Sequence, residues 1–146
     1  MTQLFLLARI AGRAVAIEAD HVVSVVDLPP LIPVPRAAGH VRGLAALRSR
    51  VVTVIDPAVA LHVERRAEQA TRAVLTRVDG HDYALIVDAV EDVVPFELEP
   101  LSAGLPLDPF WQDAAVGLVV RDGVPVLALN IVRLVPDVLP PATIAA

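Results

Sequence analysis

Two stretches of this chain are versions of one another. Arg9–Leu28 (RIAGRAVAIEADHVVSVVDL) laid over Arg77–Phe96 (RVDGHDYALIVDAVEDVVPF), at an offset of 68, matches at seven of twenty positions: one Arg, the turn Gly, one Ala, one Asp and three Val. Most of the remaining positions keep apolar against apolar. Farther on, Gly43-Leu44 pairs with Gly117-Leu118, and Val52–Asp56 with Val126–Asn130, at an offset of 74. The order of elements repeats as well: hairpin, short break, strand, long Pro-rich connection, hairpin. A repeat is one supersecondary unit used again, so both copies must find the same kind of fold. The prediction is two equivalent units of about 70 residues, each with about five short strands.

Read locally, Leu4–Ile10 and Arg13–Glu18 form a hairpin around Ala11-Gly12, where Gly permits the positive φ of a tight turn. Val22–Leu28 is a third strand, ended by Pro29-Pro30. Pro29–Pro35 cannot supply consecutive ladder donors and reads as an extended connection. Gly43–Leu47 and Val51–Asp56 are strands around a polar turn at Arg48-Ser49-Arg50. Pro57–Val63 is one or two helical turns, with Asp56 as N-cap and Pro57 in the first helical position. Glu64–Thr71 is the most polar stretch and reads as an exposed link. The second half restarts: Ala73–Val78 and His81–Val87 around Asp79-Gly80, then a strand at Val90–Pro95 and an irregular Glu97–Pro109. A short helix follows at Phe110–Asp113, then the hairpin Ala115–Arg121 and Val124–Asn130 around Asp122-Gly123, and a helical or irregular Ile131–Val138.

An open sheet of five short strands leaves its edges and one face exposed. Curling into a small barrel buries the face and shortens the edges. Barrels of about 70 residues are marginal alone, and packing side by side gives them a shared apolar seam. The expected fold is mainly β: two packed SH3-like five-stranded barrels with short helices, in one domain over residues 1–146.

Composition narrows the function. The chain has 55% hydrophobic and 20% charged residues, which excludes intrinsic disorder. No apolar run approaches the ~20 residues of a membrane span, and Met1–Arg13 lacks the pattern of a signal peptide. There is no cysteine, which removes disulfides, thiolate metal sites and thiol nucleophiles. Net charge is −5 and all 12 basic residues are arginine, without a basic stripe. That argues against nucleic acid and anionic membranes as partners. The five aromatics are too few for a stacking platform.

No catalytic constellation is legible. His21, His40, His62 and His81 lie 19, 22 and 19 residues apart, with no metal-ligand spacing. Ser24, Ser49 and Ser102 are the only serines, and none lies in a nucleophile elbow. The glycines are spaced as turn residues rather than as a phosphate loop. Asp88, Glu91 and Asp92 form the densest acidic cluster and read as a solvated face beside a turn. Arg48 and Arg50 flank a hairpin tip, where charge serves solubility or a specific contact.

At Leu28–Leu61 (LPPLIPVPRAAGHVRGLAALRSRVVTVIDPAVAL) the chain resembles the signature region of the CheW-like domain family. That family reads strand, proline-containing connection, Gly–apolar–apolar–Asn–Leu–Arg–Gly, β-turn, and an apolar strand ending near Asp. The matching stretch here is Gly43–Ser49 followed by Val51–Asp56. Val87–Val93 and Val116–Asn130 resemble the family's second-half motif and last hairpin.

The resemblance implies intertwined barrels, with subdomains over about 14–70 and 71–140 and the N-terminal strand a candidate for exchange between them. It implies a cytoplasmic, non-enzymatic adaptor without cofactors. Its partners would be the regulatory domain of a CheA-type histidine kinase and the cytoplasmic tip of a methyl-accepting chemoreceptor, gripped at a barrel end and in an inter-barrel groove. Partner-binding residues implied or expected on this basis are Val22, Ser24, Val26, Gly43, Arg48, Val87, Val90 and Val93. Arg48 matches the family's arginine, whereas Ser24 stands where most members carry glutamate. Ala46, Ser49 and Thr53 replace the usual Asn, Gly and Pro. The alternatives are an adaptor in a signalling cluster other than chemotaxis, and a small-molecule-binding β-barrel.

Overall fold

The computed structural model describes residues 2–34, 41–47, 49–60, 72–101 and 107–135, without the side chains of 59, 60 and 110. Among the described residues, ten strands carry the fold. The first half contains β1 (Thr2–Ile10), β2 (Arg13–Glu18), β3 (Ser24–Asp27), β4 (Val41–Leu47) and β5 (Arg50–Ile55), then the short helix α1 (Pro57–Ala60). The second half contains β6 (Arg72–Val78), β7 (His81–Val87), β8 (Ala89–Glu97), helix α2 (Pro109–Ala114), β9 (Ala115–Arg121) and β10 (Val124–Leu129). One 3₁₀ turn follows β2 at Ala19–His21 and another follows β10 at Ile131–Leu134.

Three hairpins use one turn. Ala11-Gly12, Asp79-Gly80 and Asp122-Gly123 all have positive φ at both central positions, 50° and 82° in the first and nearly the same in the others. Such a turn matches the right-handed twist of the flanking strands. The duplication is also visible in two caps 74 residues apart. The Ala58 N–H donates to Asp56 Oδ1 at 3.0 Å, and the Val132 N–H donates to Asn130 Oδ1 at 3.0 Å.

The strands make two mixed five-stranded sheets. One has the order β8-β1-β2-β10-β9 and is built from both ends of the chain; we call it the terminal sheet. The other, the central sheet, has the order β3-β6-β7-β5-β4. Each combines a hairpin from one repeat with three strands from the other, joined through parallel pairs: β2 with β10 (Leu129 beside Ile17) and β7 with β5 (Ile55 beside Leu85). The sheets therefore do not divide the chain near residue 70, and whole hairpins are exchanged rather than an N-terminal strand alone. The physical reason lies in strands that are apolar on both faces. Phe5–Ala8 of β1 and Ala84–Val87 of β7 are continuously buried, which requires cover on both sides. Exchange puts these strands in the middle of the molecule.

Three cores result. Phe5, Leu7, Ala16, Val119, Val126 and Ala128 fill the terminal barrel. Ala45, Val52, Val54, Ala73, Ala84 and Ile86 fill the central one. The opposite faces of the same strands meet in a seam containing Leu6, Ile10, Val15 and Ile17 from one sheet and Ile55, Val74, Leu85 and Val87 from the other. Trp111 of α2 is buried in this seam, with the Arg13 guanidinium 5.4 Å from its ring centroid.

Both sheets close by the same device. The connection after β3 returns to β4, where Ile32 and Leu44 exchange backbone hydrogen bonds of 2.8 Å. The connection after β8 returns to β9, where Glu99 and Leu118 do the same at 2.8 Å. Preceding each bridge partner is a glycine. A Cβ on Gly43 (φ +146°) would lie 2.6 Å from the Ile32 carbonyl oxygen, and one on Gly117 would strike that of Glu99. Gly43 and Gly117 thus let two backbones approach where a side chain would hold them apart.

Candidate interaction cleft on the central sheet

Edge strand β3 and the adjoining ends of β4 and β5 border a cleft of about 640 Å³. One wall is Val23–Asp27. The other is Leu47, Ser49 and Arg50, and Val52 and Leu75 contribute apolar surface between them. Val25, on a strand of only four residues, and Val23, just before it, are exposed valines. Exposed aliphatic surface beside an unpaired strand edge is the physical basis of a docking site.

At one end of the cleft three charges meet. Arg77 and Asp82 face each other across the β6–β7 hairpin, and Arg77 Nε donates to Asp82 Oδ1 at 2.7 Å. Arg50, from the neighbouring strand β5, donates through Nη1 to Asp82 Oδ2 at 3.0 Å. The Asp82 side chain is only 7% exposed, against 62% for Arg50 and 45% for Arg77. The Arg77 hydrogen bond holds the Asp82 carboxyl below its ordinary range; burial opposes this, and the Arg50 hydrogen bond and the two cationic charges add to it. At the other end, Asp27 accepts from Arg72 Nε at 3.3 Å.

The site residues expected from sequence fall in several places. Ser24 and Val26 line the cleft, and Val26 also packs on the central barrel core. Leu47 and Ser49 line it as well; Arg48, between them, lies outside the described residues. Val22 and Val90, equivalent positions of the repeat, both pack half-buried against the seam core. Val93 is 49% exposed on edge strand β8. Two of the expected residues are buried. Val87 is 0% exposed, because β7 is covered on both faces, and it packs the seam rather than lining a groove. Gly43 is buried at the barrel closure, where it lets two backbones approach.

Sequence reasoning noticed Arg50 only as a charged tip and passed over Asp82. Counting outward from Asp79-Gly80 sets Arg77 opposite Asp82, an oppositely charged cross-strand pair. That was the available signal. Among the described residues no group of three or more His, Asp or Glu could hold a metal ion, and no helix is long and apolar enough to cross a membrane.

The chain is thus a duplicated pair of small barrels, one of which carries an apolar, charge-tipped cleft. The chain belongs to the CheW-like domain family, whose model matches residues 4–138. It is similar to the chemotaxis protein CheW of Thermotoga maritima, 24% identical over 126 residues that cover 86% of this chain and 83% of that protein. In structure it is similar to the scaffolding protein TtCheW from Thermoanaerobacter tengcongensis. That match has a TM-score of 0.75 and 21% identity, covering 89% of this chain and 90% of the other.

Proposed function

We propose that this protein is a cytoplasmic chemotaxis coupling adaptor that holds the regulatory domain of a CheA-type histidine kinase and the tip of a methyl-accepting chemoreceptor in one complex, and catalyses no reaction of its own. The observation that carries this reading is the family match over nearly the whole chain. The cleft beside β3 supports it, since it offers aliphatic surface and a strand edge instead of convergent catalytic groups. A receptor tip is a helical hairpin, and apolar side chains at i, i+3 and i+4 of such a helix suit an apolar groove. Ser24 and Val26 are assigned to partner contact at the cleft, and Val22, Val90 and Val93 to contact at the seam rim and the β8 edge; Arg48 is assigned to partner contact on the family resemblance alone.

The test is direct binding. The purified chain is titrated separately with a kinase regulatory domain and a receptor hairpin tip from the same organism. Saturable binding to both, at or below tens of micromolar (about −6 to −8 kcal/mol), is the expected result. Failure of both to bind in that range overturns the reading.

A further inference from the structure

The internal repeat supplies its own control for the cleft. In the terminal sheet the two edge strands are tied by an ion pair, Arg121 Nη1 to Glu91 Oε1 at 3.0 Å, between β9 and β8. The offsets of 74 and 68 place Leu47 and Val23 at these positions in the central sheet. Both are apolar and both line the cleft. Where one barrel has a strap, the other has two aliphatic walls with space between them.

The charges are distributed in the opposite sense. Arg50, Arg77 and Asp82 meet at the cleft, whereas their counterparts in the terminal sheet are Val124, Arg9 and Ala14. There Arg9 donates to a turn carbonyl, that of Gly12, at 2.7 Å. In the central sheet both Asp82 oxygens are already engaged, one by each arginine. Asp27 at the far end is matched by Arg72. Among the described residues the cleft and its paired neighbours thus carry three guanidiniums against two carboxylates. Each guanidinium has five N–H donors, and Asp82 takes one from Arg50 and one from Arg77.

We infer that the central-sheet cleft recognises a partner protein segment carrying an Asp or Glu flanked by apolar side chains, the carboxylate pairing with Arg50 and Arg77 while the apolar neighbours pack on Val23, Leu47 and Leu75. The inference rests on the adaptor reading and names the chemistry of what enters. At one end of the cleft two guanidiniums, those of Arg50 and Arg77, share the one carboxylate of Asp82, which leaves positive charge for a partner's carboxylate there. Apolar walls exclude water and strengthen a charge-assisted hydrogen bond. Asp82 then has a second role as an internal competitor: it holds the two arginines ready and sets the strength of the partner's grip.

The test titrates the kinase regulatory domain and the receptor hairpin tip separately into the full chain and into three variants, Arg50→Gln, Asp82→Asn and Arg121→Gln. Circular dichroism first confirms that each variant is folded. For the partner that enters the cleft, Arg50→Gln lowers affinity about tenfold and flattens its salt dependence. Asp82→Asn frees both guanidiniums and leaves affinity equal or raises it about threefold. Arg121→Gln leaves it unchanged. If Arg50→Gln binds both partners like the parent with the same salt dependence, the inference is overturned. It is also overturned if Arg50→Gln and Asp82→Asn weaken binding in parallel, because the three charges are then a structural unit only. If the parent chain binds neither partner, the adaptor reading itself falls, and the inference with it.

Discussion

Asp88 Oδ2 accepts the backbone N–H of Gly12 at 2.7 Å, across 76 residues of sequence. The Asp88 N–H in turn donates to the Arg9 carbonyl at 2.8 Å. Asp88 stands where the chain passes from β7 in the central sheet to β8 in the terminal sheet. It therefore fastens that crossing to the β1–β2 turn. Asp88→Ala is expected to lower stability by about 1 kcal/mol, the usual net worth of one hydrogen bond. Asp88→Asn, which keeps an acceptor, loses less. Urea unfolding followed by the fluorescence of Trp111, the one tryptophan and a residue of the seam core, measures both.

The closure glycines respond to a methyl group more severely than the turn glycines. A Cβ at Gly12 meets nothing within 4 Å, so Gly12→Ala carries only the backbone strain of a positive φ, about 1–2 kcal/mol. Gly43→Ala adds a collision with the Ile32 carbonyl, and overpacking of that kind costs about 1–3 kcal/mol more. Gly117→Ala follows Gly43→Ala. Equal urea midpoints for Gly12→Ala and Gly43→Ala would remove the closure argument.

Ala11 is the least suited residue in the three matching turns. It has φ 50° where the other two hairpins place Asp79 and Asp122. Asn tolerates this region better than Ala because its short polar side chain can hydrogen-bond locally. Ala11→Asn is expected to raise stability by about 0.5–1 kcal/mol, read as an upward shift in the thermal midpoint.

Acid tests the Arg50–Asp82–Arg77 group. The Asp82 carboxyl titrates below its ordinary value, chiefly through the Arg77 hydrogen bond. The folded state therefore binds this proton less readily than the unfolded state. The stability it contributes is fully present above the unfolded value, about 3.9, and is lost as pH falls through the lower folded value. Asp82→Asn is expected to be less stable than the parent by a constant margin above about pH 5 and to converge on it below about pH 4. Urea midpoints measured between neutral pH and strong acid give the comparison. A margin that does not shrink in acid would separate the Asp82 charge from stability.

The hairpins were legible because their determinants are local: Asp79-Gly80 and Asp122-Gly123 specify turn and register within a few residues. The bridge glycines were legible as a repeat, through Gly43-Leu44 and Gly117-Leu118, though not as points of backbone contact. Exchange of the hairpins was not legible. Two similar repeats satisfy the same pattern whether each hairpin joins its own strands or those of the other copy. The decision rests on pairings such as Ile17 beside Leu129, far apart in sequence. The burial of Val87 was not legible for the same reason, since the sheet that covers it is assembled from distant pairings. At the cleft, the Arg77–Asp82 pair follows from hairpin counting, but the arrival of Arg50 depends on the parallel pairing of β5 with β7.

Because each sheet takes strands from both repeats, the duplication does not give two modules that could be separated with scissors. A cut between β5 and β6 would leave one fragment holding β1–β5 and another holding β6–β10, each with a hairpin whose neighbours are on the other piece. Such fragments should be poorly ordered alone and regain the fold on mixing. The two ends of the molecule can then differ, as the cleft and the strap do, while neither copy can be discarded.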